Sequence, residues 1–191
     1  MSVKYPRTFH LPDSPGKSKD DVSLKTSDHF IGKEVIITEK VDGENFTFSK
    51  EGCHARSLDS KHHPSRAWIK GLHSKIAREI PDGWRICGEN MYAVHSIEYK
   101  DLPSYFLVHS IWDEENWCLS WSDTLDYVDM LGLYTVPVLY KGVFEEVDSK
   151  ILSNPAGFFS AEKEGYVIRL SASFHFSKFK DSVAKYVREN H

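Results

Sequence analysis

The sequence predicts an α+β fold, and two observations carry that reading. Short apolar runs typical of strands recur along the chain, as in Val35-Ile36-Ile37, Phe46-Thr47-Phe48 and Tyr166-Val167-Ile168. Only two or three stretches among them have helical character, a mixture suited to antiparallel sheets flanked by helices. No internal repeat, low-complexity segment or domain boundary interrupts the pattern, so residues 1–191 are expected to form one domain, with 1–30 as an N-terminal arm.

The arm is expected to be irregular. Pro6, Pro12, Pro15 and Gly16 punctuate it, and Lys17, Lys19, Asp20 and Asp21 make it polar. It is either a plain surface segment or a basic lip near a phosphate, formed by Arg7, His10, Lys17 and Lys19. Next come a strand around Val35–Ile37, a tight turn at Lys40, and a strand around Phe46–Phe48. Gly43 is expected to give that turn a positive φ. After a turn at Lys50-Glu51-Gly52, Cys53–Leu58 predicts a short strand and Asp59–Pro64 a polar loop. The clearest helix runs from about Ser65 to Ile80: Trp68, Ile69, Leu72, Ile76 and Ile80 recur at helical spacing, and Pro81-Asp82-Gly83 stops it. Trp84–Glu89 is a strand ending on a carboxylate. Tyr105–Trp112 is apolar enough to be a buried strand, and Trp117–Leu119 continues after a turn. Ser122 is expected to cap a helix to about Leu131, closed by Gly132. A strand over Val136–Tyr140 tolerates Pro137 only at a sheet edge. Phe144–Leu152 predicts a short helix, Gly165–Leu170 a strand entered through Glu164, and Ser182–Arg188 the last strand.

Composition is that of a globular protein, with 40% hydrophobic and 27% charged residues. The net charge of −4 gives no global attraction for nucleic acid, so any such surface must be a local cluster. No run of about 18 apolar residues is present to span a membrane, and the first residues lack a signal peptide's apolar core, which points to the cytoplasm. Three cysteines make no even disulfide framework and are expected as free thiols. His54, His62 and His63 lie near Cys53, but without a second pair at zinc-ligand spacing.

The stretch that organises the rest is Glu39-Lys40-Val41-Asp42-Gly43-Glu44-Asn45. It presents one lysine at a turn between strands, in the pattern Lys-x-Asp-Gly. That pattern resembles the nucleophile motif of the covalent nucleotidyltransferases, in which a lysine amine attacks an α-phosphorus and holds the nucleotide as a phosphoramidate. A free lysine amine is a minority species of roughly one in a thousand at neutral pH, so the nucleophile needs cations, a metal or burial around it. The developing phosphate charge needs further cations and a divalent ion held by carboxylates. The sequence offers such groups beside its strands: Arg56, with a planar fork suited to phosphate; Glu89, for a ribose hydroxyl; His109, for stacking on a base; Glu164, for a metal; and Lys185, with Arg188 beyond it.

Taken in order, these segments resemble the motifs of the ATP-dependent RNA ligases of phage and bacterial type, members of the covalent lysyl-AMP nucleotidyltransferases. Glu39 to Asn45 resembles the first motif, and Ala55-Arg56-Ser57-Leu58-Asp59 the arginine motif after it. Cys87-Gly88-Glu89-Asn90 resembles the third, and Tyr105 to Asp113 the aromatic strand. Glu164 to Arg169 resembles the fourth motif and Val183 to Arg188 the fifth. Tyr5 to Pro12 resembles the N-terminal arm of some bacterial members. The resemblance covers most of the chain and implies a nucleotidyltransferase (ATP-grasp-like) domain. It implies ATP as cofactor, with AMP as covalent intermediate, and Mg²⁺ or Mn²⁺ as metal. Lys40, in its turn with Asp42, would carry the AMP, and Glu39 would sit beside the adenine. Glu89 would contact the ribose, Glu164 would serve the metal, and Lys185 would contact the α-phosphate. Arg56 would position a phosphate and the RNA end. The implied partner is RNA with 5′-phosphate and 3′-hydroxyl ends, and relatives usually continue into a C-terminal domain that helps grip it.

Two departures set expectations of their own. His109-Ser110 stands where the base-stacking position often has Phe followed by Ser or Asp, so stacking there is expected to be weaker or pH-sensitive. The fifth motif often has Lys-x-Lys, leaving Lys178 and Lys180 as alternatives to Lys185. Other functions compatible with the same lysine are DNA ligation, capping guanylyl transfer, and nucleotide or RNA binding without turnover.

Overall fold

The computed structural model describes residues 2–57 and 63–189. Leu58 and Asp59 of the expected strand and arginine motif, and His62, lie outside the described residues. In chain order the strands are β1 (Phe9–His10), β2 (Glu34–Lys40), β3 (Glu44–Phe48), β4 (Cys53–Ala55), β5 (Arg85–Asn90), β6 (Phe106–Trp112), β7 (Trp117–Cys118), β8 (Tyr134–Thr135), β9 (Val138–Val143), β10 (Gly165–Leu170), β11 (Phe174–His175) and β12 (Val183–Val187). The helices are α1 (Ala67–Ile76), α2 (Trp121–Met130), α3 (Ser149–Ser153) and α4 (Phe179–Ser182). The fold is the expected α+β arrangement. Pairing is antiparallel except between β1 and β12 and between β6 and β8.

Two sheets result. The first has the order β1-β12-β10-β2-β9; the second has the order β11-β7-β6-β5-β3-β4, with β8 added beside β6. In β2, Val35 through Glu39 are all buried, because both faces of this strand are covered. On the second sheet, Phe46, Phe48 and Phe106 turn outward from the cleft into a core shared with Ile69 and Ile76 of α1 and Val128 of α2. The Phe48 and Phe106 rings stack with centroids 4.4 Å apart, and each such buried ring contributes about 1.5–3 kcal/mol.

Five local expectations change in the folded chain. First, the strands flanking Lys40 form no hairpin: β2 belongs to one sheet and β3 to the other, so the Lys40–Gly43 turn carries the chain between sheets. Gly43 shows no positive φ. It is needed for space, since a Cβ there would come within 2.6 Å of Met91 Sδ and 3.0 Å of the Asn90 carbonyl. Second, the strand expected over Val136–Tyr140 begins only at Val138, as β9, and a separate short strand, β8, precedes it in the other sheet. Pro137, which lacks an N–H, sits between them, and its carbonyl accepts from Glu39 N at 2.8 Å. Third, α2 is capped by Ser120, whose Oγ accepts from Asp123 N at 3.1 Å. Trp121 can then open the helix with its ring buried. Fourth, Phe144–Leu152 splits into a 3₁₀ turn at Phe144–Glu146 and α3, which is capped by Asp148. Fifth, the arm is no plain surface segment. β1 pairs with β12, His10 bridges to Ser23, and Leu11, Ser14 and Phe30 are buried.

Candidate active site

Strand register explains which side chains meet. Val167 of β10 lies opposite Thr38 of β2 and Lys185 of β12, and Arg169 lies opposite Val183. Alternate residues share one face of a sheet, so Thr38, Lys40, Val167, Arg169, Val183 and Lys185 all look into the cleft. They line a cavity of about 680 Å³, within the range of small-molecule sites. The second sheet supplies Asn45, Glu89, His109, Ser110 and Trp112 to the opposite wall.

Lys40 ends β2 and pairs with Gly165. Glu164 immediately precedes that residue, so Lys40 Nζ donates to Glu164 Oε1 at 2.5 Å. A Cβ on Gly165 would stand 1.9 Å from the Tyr186 carbonyl, so only glycine lets the strands meet this closely. Lys185 lines the same cavity. Burial pushes its ammonium pKa below the ordinary value; Asp21, 3.9 Å away, opposes this, and Lys40 adds to it. Lys178 and Lys180 are exposed and outside the cavity lining, so Lys185 is the fifth-motif candidate brought to the site. Arg188 also stays out of the lining and pairs with Glu162 at 2.6 Å.

Glu39 is buried. Its Oε2 accepts from Phe158 N at 2.8 Å, while Oε1 has no hydrogen-bond partner among the described residues. Burial raises its pKa against the pull of that N–H and of Lys163. Asp42, expected beside Lys40 as a catalytic residue, lines the cavity and is engaged by the loop after β5. Its Oδ2 accepts from Ser96 N at 2.8 Å, Ser96 Oγ at 2.6 Å and Ile97 N at 3.3 Å. Burial alone would raise its pKa, but these bonds and His95 outweigh it and hold the carboxyl below its usual range. Asp42 therefore fastens the loop after β5 to the cavity rim, and its own N–H donates to Tyr99 Oη at 2.7 Å.

Glu89 is pushed up to about 7 by burial, with Lys40 and Asn45 opposing. His109 sits where β6 slips register against β5: Cys87 faces Ser110 and Gly88 faces Val108. This bulge leaves His109 without an opposite residue and aims its ring into the cleft. Burial pushes its pKa down to about 3, so the ring is neutral at physiological pH. Arg56 reaches the lining from the end of β4, and its Nε donates to the Tyr5 carbonyl at 3.3 Å. Of the proposed basic lip, Arg7 lines the cavity. His10 is buried against Ser14 and Asp21, and Lys17 and Lys19 are exposed outside the lining.

Sequence reasoning missed Tyr5, Asp21, Trp112 and Phe174, all lining residues. Tyr5, Asp21 and Phe174 reach the cavity through the packing of the arm and β11, and Trp112 through its alternation with Ser110 on β6. No group of three or more metal-ligating side chains occurs among the described residues. Glu164, whose carboxylate lies beside Lys40, is the residue that could hold a divalent ion here. The three cysteines are free, and no helix among the described residues is long and apolar enough to cross a membrane.

The sequence profile of RNA ligases matches residues 33–187. The chain belongs to the RNA ligase family. Its fold matches solved RNA ligases: a Naegleria gruberi RNA ligase with pyrophosphate (TM-score 0.63, 17% identity, 97% of this chain and 57% of that one); an archaeal ATP-dependent RNA ligase (TM-score 0.68, 17% identity, 97% and 48%); and a Naegleria gruberi variant with ATP and Mn (TM-score 0.60, 15% identity, 97% and 58%). This RNA ligase family chain thus spans about half the length of these structures. No curated protein matches it in sequence.

Proposed function

We propose that the chain is the adenylyltransferase unit of an ATP-dependent RNA ligase, with residues 1–191 acting as one domain. The observation that carries this is Lys40 Nζ, held at 2.5 Å by Glu164 at the mouth of a cavity that also receives Lys185. Once its ammonium has lost a proton to solvent, Lys40 attacks the α-phosphorus of ATP; the N–P bond forms, the bond to the oxygen bridging the α- and β-phosphorus breaks, and pyrophosphate leaves. Glu164 fixes the amine in line for that attack. Lys185 and Arg56 face the charge that develops on the α-phosphate and on an incoming RNA end. Glu89 offers the ribose a hydrogen-bond partner. Glu39 Oε1 accepts from the exocyclic amine of adenine, which guanine lacks at that position. His109 provides the stacking face. A divalent cation, Mg²⁺ or Mn²⁺, would be held by Glu164 and would neutralise the triphosphate. The AMP then passes to an RNA 5′-phosphate, and a 3′-hydroxyl displaces it to form the phosphodiester.

Intact mass of the purified protein, before and after ATP and Mg²⁺, tests this reading. A gain of one AMP is expected in the native chain and none in Lys40→Ala. Equal labelling of both sinks the assignment, as does the absence of any gain in a folded native chain free of AMP at the start. Sealing of nicked RNA in preference to nicked DNA is the expected outcome for the acceptor.

A further inference from the structure

The N-terminal arm contributes to the base end of the cavity, and the contact is specific. The Tyr5 ring lies edge-on to His109, with centroids 4.8 Å apart and planes at 61°. On its other side it meets Phe179 at 5.5 Å and 88°. Both fall in the favoured range for T-shaped aromatic pairs. The Tyr5 hydroxyl is hydrogen-bonded with Ser110, and burial keeps it protonated, well above its ordinary pKa. Ser110 Oγ also accepts from Trp112 Nε1 at 3.1 Å and meets His109 Nδ1 at 3.0 Å. His109 Nε2 meets Asn45 Nδ2 at 3.1 Å. The two ring nitrogens are thus tethered, and Tyr5 is the aromatic ring packed against His109 among the described residues.

The arm is held there by more than this ring. Arg56 Nε grips the Tyr5 carbonyl, Leu11 N donates to the Lys185 carbonyl at 2.8 Å, and Gly16 N donates to the Val187 carbonyl at 2.9 Å. Tyr5 lines the 680 Å³ cavity rather than filling it.

We propose that Tyr5 is a positioning residue for nucleotide binding: it fixes the His109 ring in the plane on which the adenine of ATP stacks, making the arm part of the base subsite. The inference rests on the RNA ligase reading given above. A histidine exposes a smaller π-face than a phenylalanine, so stacking on it depends on the ring being held before the base arrives. A ring ordered only by the ligand charges that ordering to affinity. Tyr5→Ala keeps the backbone carbonyl that Arg56 holds, so loss of the ring acts on ATP binding and not on phosphoryl transfer.

Two measurements on the full chain test this. The first follows the rate of AMP attachment against ATP concentration. Tyr5→Ala is expected to raise the KM for ATP by about tenfold and leave the maximal rate within about threefold. Tyr5→Phe, which keeps the ring, is expected to match the native chain. Phe176→Leu serves as a control for lost stability, because Phe176 packs on Trp112 in the same cluster. An unchanged or lowered KM in Tyr5→Ala overturns the proposal, and so does an equal rise in Phe176→Leu. The second needs no activity: the imidazole NMR resonance of His109, assigned with His109→Asn, is expected to be sharp in the native chain and Tyr5→Phe, and shifted and broadened in Tyr5→Ala. An unmoved resonance overturns the proposal even if the native chain takes up no AMP, an outcome that refutes the ligase reading instead.

Discussion

Lys40 and Lys185 line the cavity from β2 and β12 of one sheet, and Glu164, just before β10 between them, holds the Lys40 amine. Elsewhere in the lining, His109, Ser110 and Trp112 of the second sheet meet Tyr5 of the arm and Phe174 of β11. The first group is built by register: once β2, β10 and β12 align, the charged groups have nowhere else to point. The second is built by packing of segments far apart in sequence. In the proposed reading, charge-bearing chemistry falls on the register-built groups, and stacking of the base depends on an arm that can be tuned separately.

Substitutions in the register-built group are expected to act on rate. Glu164→Gln keeps the size of the side chain and removes its charge. AMP attachment is expected to fall by about 10²-fold or more, with altered divalent-ion dependence, in single-turnover assays. An unchanged metal requirement would remove Glu164 from that group. Lys185→Ala is expected to slow attachment by roughly 10- to 100-fold, whereas Lys178→Ala, outside the cavity, leaves it unchanged. Equal losses would erase the distinction between cavity and surface lysines.

Asp42 tests whether a motif residue can act through a loop. Asp42→Ala frees the Ser96 and Ile97 donors, so the unfolding midpoint should fall by an amount corresponding to about 1–2 kcal/mol. Proteolysis within 92–104 should become faster. Loss of activity with no change at that loop would return Asp42 to direct chemistry.

The smallest expected effect concerns pH. The Glu89 carboxyl, raised to about 7, favours the folded state below its unfolded pKa near 4.5. That contribution is lost as pH rises through 7. His109, lowered to about 3, works oppositely: its unfolded form takes a proton below about 6.5, so stability falls as pH drops through that window. The two trends offset one another between pH 4.5 and 6.5. Glu89→Gln removes the first, so its stability should decline more steeply than that of the native chain between pH 7 and 5, by up to about 2–3 kcal/mol. Parallel unfolding curves for the two proteins would place Glu89 in a more solvated setting.

Much of the site was legible because strands betray themselves locally. The apolar runs of β2 and β10 located Lys40 and Glu164 at strand ends, and the 3.6-residue stripe located α1. The motif order assigned Glu39, Glu89 and Lys185. What failed was partner choice. The Lys40 turn carries the signature of a hairpin in sequence, yet its strands join different sheets. The apolar run around Pro137 gives no sign that it crosses between the same two sheets. The arm, polar and rich in proline, hides the small patch that pairs with β12.

The sequence by itself thus determined the α+β class, the strand identities and the charged groups that end them, because period and charge are properties of neighbouring residues. Only the tertiary structure decided that Lys185 rather than Lys178 meets Lys40, that Asp42 holds a loop, and that Tyr5 stands against His109. Each of those contacts closes a long loop, and its energy depends on packing that no local pattern encodes.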